Sequence, residues 1–235
     1  MLNDIKELPE ECAYCGATEE LTKEHVIPSG FAGKGAKNWE PVIVWACKQC
    51  NNEKSKLDQR IRALFAIDFY GGDHETAQKL IKGEILRSLQ KGHSKDVLEF
   101  LASMKPETLI SHDGEVLANG MGGKLKDDPF TPWFTFVVKG MAMALSSKRF
   151  DADASFNVGR YYPDGYAAIR QALEESGAPA PVRLGEHTIF SYRSVADVAT
   201  GFGMWVFQFY GGVTFVVFVL LPEDAFDYAD TKLES

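Results

Sequence analysis

The sequence predicts an α+β protein: a small N-terminal module of two strands and a helix, a helical middle, and a C-terminal α+β region with an antiparallel β-hairpin. Three observations predict it. Two cysteine pairs of identical spacing bracket two short β-like segments, and apolar residues at helical spacing follow them. Apolar residues then recur every three to four positions as far as Leu101. Near the C-terminus, aromatic and β-branched runs flank a Gly-Gly pair, which is a hairpin signal.

Residues 10–50 are loop-rich, with strands expected at 22–27 and 42–46. Leu57, Ile61, Leu64 and Phe65 share a helical face, so a helix is expected over 52–69, ended by Gly71-Gly72. Asp73 reads as the N-cap of a second helix carrying Leu80, Ile81, Ile85 and Leu89. Ser94 reads as the cap of a third, with Val97, Leu98 and Leu101. Residues 111–128, rich in Gly and Asp, read as a loop or weak hairpin and as an internal boundary. Thr131-Pro132 opens a further helix through Val138, Met141 and Leu145. Another helix is expected over 164–175, stopped by Gly177. From Val182 onward the chain reads as β. The resulting division is 1–70 for the N-terminal module, 71–128 for a helical segment ending in a loop, and 129–235 for an α+β region without a motif of its own.

Composition limits the function classes. The chain has 235 residues, 45% hydrophobic and 25% charged, which supports a sizeable core and excludes collagen-like or wholly disordered classes. Its 25 basic and 33 acidic side chains leave a net charge of −8, so bulk charge does not draw it to nucleic acid. The one basic patch lies in 30–65, where Lys34, Lys37, Lys48, Lys54, Lys56, Arg60 and Arg62 face only Glu40, Glu53 and Asp58. Residues 198–222 carry no charge and could span a bilayer by length. The runs on either side of Gly211-Gly212 favour a buried hairpin instead, so no membrane partner is expected. The first residues lack a basic and apolar leader, which places the expected compartment in the cytoplasm.

All four cysteines fall in the pairs Cys12-Ala13-Tyr14-Cys15 and Cys47-Lys48-Gln49-Cys50. Each C-x-x-C forms a knuckle offering two thiolates, and two knuckles make a tetrahedral zinc site. A redox pair needs a thioredoxin-like setting, which surrounds neither. Between and after the knuckles come Glu24-His25-Val26-Ile27-Pro28 and then Asn51 and Lys54, directly behind Cys50. This order resembles the zinc-stapled HNH endonucleases, of the ββα-metal (His-metal finger) group, over about residues 12–60.

The resemblance implies a metal-dependent endonuclease that hydrolyses phosphodiester bonds, with DNA expected ahead of RNA. It implies His25 as general base, histidine being the residue type whose unperturbed pKa lies nearest neutral. Glu24 and Asn51 are hard oxygen ligands and would hold a catalytic Mg²⁺ or Mn²⁺, while Cys12, Cys15, Cys47 and Cys50 hold a structural Zn²⁺. Asn51 is expected to open the helix, where N–H groups favour a phosphate. Lys54, Lys56, Arg60 and Arg62 are the expected nucleic-acid contacts. Two features depart from the family. Glu24 stands where Asp is frequent, and the middle asparagine of the second strand is missing from 42–45, leaving Asn38 upstream as its nearest candidate. Two other readings share the cysteines: a zinc-stabilised binding module without cleavage, and a zinc-folded scaffold. The scaffold would act through the acidic C-terminal region, which is also the expected surface for a protein partner.

Overall fold

A computed structural model describes residues 5–33, 39–68, 74–90, 95–110, 114, 116–150, 153–161, 163–175, 177–185, 189–197 and 202–220. Asn38, Lys34, Lys37, Asp73 and Ser94 lie outside them. Strand β1 (Leu21–His25) pairs antiparallel with β2 (Ile43–Cys47), from Leu21 opposite Cys47 to His25 opposite Ile43. The chain then turns directly into α1 (Lys48–Ala66), with Cys47 as its extended N-cap residue. The helix therefore starts earlier than the apolar periodicity predicts. The second cysteine pair supplies its first turn, and Asn51 sits inside the helix rather than at its opening.

Helix α2 (Glu75–Leu80) is capped by His74, whose Nδ1 accepts the Thr76 N–H at 3.2 Å. A π-turn over Ile81–Ile85 leads into α3 (Leu86–Gln90), so the single expected helix is locally widened. Helix α4 (Lys95–Ala102) follows, then a hairpin of β3 (Lys105–Ile110) and β4 (Val116–Gly122). That hairpin begins upstream of the segment read as a loop, because Lys105-Pro106-Glu107 carries no strand-like composition.

Helix α5 (Phe130–Ser146) is the buried axis of the molecule. Asp128 Oδ1 caps it by accepting the N–H of Phe130 at 2.8 Å and of Thr131 at 3.3 Å. Trp133, Phe134, Val137, Val138 and Met141 are fully buried, as suits a helix apolar on most sides. Beyond it lie β5 (Ser155–Tyr161), α6 (Pro163–Glu175), β6 (Val182–Leu184), β7 (Phe190–Asp197), β8 (Phe202–Phe209) and β9 (Val213–Leu220). The five strands form one antiparallel sheet in the order β5-β9-β8-β7-β6. The β8–β9 turn holds Tyr210 and Gly211 at φ 52° and 74°, the left-handed pair that hairpin twist requires.

Strand alternation gives the sheet two buried faces. Trp205, Phe207, Phe209, Phe215 and Val217 meet the main core, while Val206 and Val216 pack with Leu173 of α6. Arg193 ties that second layer down, its Nη2 donating to the carbonyls of Ala178 at 2.6 Å and Leu173 at 3.3 Å. On the first face Phe65 of α1 lies 4.7 Å from Phe209, 5.3 Å from Phe215 and 5.8 Å from Trp133, centroid to centroid. One hydrophobic cluster thus holds residues of the N-terminal module and of the C-terminal sheet. Tyr210 adds a polar tie, its hydroxyl donating to the Phe31 carbonyl at 3.0 Å. Among the described residues, no helix is long and apolar enough to cross a membrane.

Candidate metal centre and active site

The first cysteine knuckle is built by local backbone bonds. Gly16 N–H donates to the Cys12 carbonyl at 2.8 Å, and Gly16 takes φ 82°, which favours glycine. Ala13 N–H donates to Trp45 O at 2.8 Å, fixing the knuckle to β2. The second pair spans the end of β2 and the first turn of α1. Together they bring the Sγ atoms of Cys12, Cys15, Cys47 and Cys50 within 4.8 Å of one another, with Cys15 and Cys47 at 3.7 Å. Sulfurs bound at about 2.3 Å around a tetrahedral ion stand roughly 3.8 Å apart, so the cluster fits a structural zinc.

The electrostatics fit the same ion. Burial pushes the Cys50 thiol up, and its neighbouring sulfurs add to that. Burial also raises Cys15. Burial acts against Cys12 too, but hydrogen bonds from the backbone amides of Cys47, Cys15 and Tyr14 outweigh it and leave Cys12 lowered. Four close sulfurs cannot all ionise without a cation among them, and a soft dication supplies that charge. Tyr14, inside the first knuckle, is buried against α5, with Phe136 edge-on at 4.9 Å. Helix α5 passes so close that a Cβ on Gly140 would meet Val26 Cγ2 at 2.7 Å and Tyr14 Cε1 at 3.4 Å.

Beside the cluster, β1 and α1 meet along a polar seam. Asn51 Nδ2 donates to Thr22 Oγ1 at 2.9 Å. Three residues on along the same helical face, Lys54 Nζ donates to Glu24 Oε1 at 2.8 Å, to the His25 carbonyl at 3.0 Å and to the Asp58 carboxylate at 3.1 Å. Those acceptors take up all three ammonium protons. Trp133 Nε1 donates to Asp58 Oδ1 at 2.7 Å and joins α5 to the seam. Burial raises the Asp58 pKa, although Lys54 and the Trp133 bond pull against it.

The seam brings Glu24, Asn51 and Lys54 together, with the His25 backbone pinned beside them. It also corrects one expectation. Lys54 is 0% exposed, so it does not reach nucleic acid; it is the buried counter-ion of Glu24 and Asp58. Of the other expected contacts, Lys56 is exposed. Arg60 is already paired with Asp96 at 2.5 Å and with Asp127 through two bonds of 2.6 and 3.0 Å. Arg60 in turn holds Asp127 below the usual carboxylate range. Arg62 pairs with Glu84 at 3.0 Å. His25, half-buried, closes β1. Asp58 and Trp133 escaped sequence reasoning; the i,i+4 spacing of Lys54 and Asp58 was the one signal available.

Residues 12–66, from the first knuckle cysteine to the last residue of α1, match the model of the HNH endonuclease family. No curated protein and no solved structure matches the chain.

Proposed function

We propose that the protein is a metal-dependent HNH-type endonuclease that hydrolyses phosphodiester bonds of nucleic acid in the cytoplasm, with DNA ahead of RNA. One observation carries the reading. The four-sulfur cluster fixes the end of β2 and the first turn of α1 beside β1, so Glu24, the His25 backbone and Asn51 lie along one seam within the segment that matches the family. Glu24 and Asn51 would hold Mg²⁺ or Mn²⁺, their oxygens being suited to a hard cation. Asn51 meets Thr22 through its amide nitrogen, which leaves the amide oxygen as its ligand atom. Such an ion, when bound, offsets charge on the phosphate and on the leaving oxygen.

His25 takes a proton from the attacking water as the water oxygen bonds to phosphorus. The bond from phosphorus to the 3′ oxygen breaks in line, and that oxygen leaves with the bonding electron pair and takes a proton from solvent water to become a hydroxyl. The products are a 5′-phosphate and a 3′-hydroxyl. Lys54 acts by positioning, holding the Glu24 carboxylate and the His25 carbonyl at fixed places. Lys56 is the first expected phosphate contact, and Arg60 reaches phosphate by exchanging its carboxylate partners, whereas Arg62 stays with Glu84. Asn38, as the family's middle asparagine, would brace the loop between the strands.

The test is cleavage of supercoiled plasmid, linear DNA and RNA by zinc-loaded protein with Mg²⁺, with Mn²⁺ and with neither, beside His25→Ala. Divalent-dependent cutting that His25→Ala abolishes is the expected result; cutting that persists in the variant would remove His25 from the reaction. The ion pair from Lys54 to Glu24 Oε1 favours a second reading, in which the ammonium replaces the catalytic ion and the module binds without cutting. Salt-sensitive binding with no cleavage under any divalent ion would select it.

A further inference from the structure

Next to the seam, a cleft of about 690 Å³ opens between the loop after β1, one face of α1 and the α2–α3 segment. We infer that this cleft is a slot for the base of one unpaired nucleotide next to the scissile phosphate, which makes strand-distorted nucleic acid the preferred substrate. The inference rests on the nuclease reading and adds to it the form of substrate.

The cleft is continuous with the seam. Asp58 lines it and is bonded to Lys54, which in turn holds Glu24 and the His25 carbonyl. Along α1 the wall residues Ser55, Gln59 and Arg62 continue the face on which Asn51 sits, at four, eight and eleven residues beyond it. At 1.5 Å per residue, Ser55 lies about 6 Å and Arg62 about 16 Å further along the helix axis. A stacked strand advances about 3.4 Å per nucleotide, so the cleft begins one or two nucleotides from a phosphate at the seam.

Its chemistry suits a base better than a phosphate. The Arg62 guanidinium is paired with Glu84, and the Asp58 carboxylate with Lys54, so the walls hold no surplus positive charge. What they do offer is hydrogen-bonding of both signs: the Gln59 amide and the Ser55 hydroxyl each donate and accept. Pro28 and Ile85 add apolar surface, and the volume is in the range of small-ligand sites. The shape depends on a glycine. A Cβ on Gly30 would come 2.5 Å from Arg62 Nη1, so the bare backbone there lets the guanidinium lie against it, toward Glu84. A base stacked in a duplex cannot enter such a cleft, whereas an unpaired base costs little to extrude.

The experiment measures affinity of the full, zinc-loaded chain for fluorescein-labelled duplexes without added divalent ion. One duplex is uninterrupted and the other carries a short unpaired bulge, each made as DNA and as RNA. Wild type is compared with Ser88→Trp, which fills the cleft from α3, and Gln59→Leu, which removes the amide. The expected result is that wild type binds the bulged duplex about tenfold more tightly, the scale of one good base contact. Both variants should lose that preference while keeping their affinity for uninterrupted duplex and their plasmid cutting. Equal affinity for both duplexes in wild type, or a preference that survives in both variants, overturns the slot. A preference lost in the variants, in a wild type that binds but never cuts, upholds the slot and overturns the nuclease. Binding to neither duplex overturns both.

Discussion

Among the described residues, strands β1 and β2 are five residues long and pair only with each other, whereas β7, β8 and β9 are eight residues long and lie inside a five-stranded sheet. A two-stranded hairpin is marginal in water. The N-terminal module closes instead with four sulfurs around a metal position, with a buried ammonium between two carboxylates, and by leaning on α5. The sheet needs neither device, because Phe207, Phe209 and Phe215 bury large rings against α5, each contributing on the order of 2 kcal/mol. The proposed chemistry therefore sits in the part whose order depends on ions, and the sheet is the platform it stands on.

The hardest test of that contrast is metal removal. Zinc stripped by a chelator, or lost in Cys12→Ser/Cys15→Ser, should cost the module several kcal/mol, since ligation energy is folding energy at such sites. Hydrogen exchange followed by mass spectrometry should show protection lost over β1, β2 and the first turns of α1, with β8 and β9 still protected. Uniform loss would show that the shared aromatic core makes both regions one cooperative unit.

Next in size is Lys54→Met. It leaves Glu24 and Asp58 facing each other without their cation, and breaking a buried ion network from one side costs about 3–5 kcal/mol. Urea unfolding should report that loss. A change below about 1 kcal/mol, the ordinary value of a solvated pair, would mean that Lys54 is not the counter-ion it looks to be.

Lys54 also marks where the sequence stops being readable. The cysteines, Glu24-His25 and Asn51 stand out because the chemistry demands particular residue types at particular spacings. A lysine in a Lys-rich helix looks solvated instead. Its burial depends on Glu24, thirty residues upstream, and on the Trp133 bond to Asp58, which spans 75 residues. The sheet divides in the same way. Strands β8 and β9 are legible from their own alternation and turn. Strand β5, with Asn157 and Gly159, becomes a strand only through pairing with β9, and its own residues do not predict one. The true start of α1 is hidden from the periodicity because a cysteine knuckle carries no helical pattern even when it forms the first turn.

Gly140→Ala probes the contact between the two regions and should cost less. The new methyl group would press into Val26 and Tyr14, and overpacking of a tight core costs about 1–3 kcal/mol. Roughly 1 kcal/mol comes back from the better helix propensity of alanine. The net loss, about 1–2 kcal/mol in thermal or urea unfolding, should be relieved when Val26→Ala is added, although Val26→Ala alone destabilises. If the two changes prove simply additive, the module does not bear on α5 at this point.

The smallest effect is the pH dependence carried by Asp58, and its sign is fixed by the direction of the shift. Burial raises this carboxyl above its ordinary 3.8, so the folded state keeps a proton that the unfolded state has already lost. Stability from this group therefore falls as pH rises from 3.8 through the raised folded value, and stays level above it. Urea unfolding across that range should show wild type losing stability relative to Asp58→Asn, with the difference flattening once Asp58 is ionised in both states. Protection of β8 and β9 at the same pH values should not follow that difference if the module opens on its own. Should their exchange track it, the seam and the sheet unfold together, through the Trp133 side chain that bonds Asp58 and packs on Phe209.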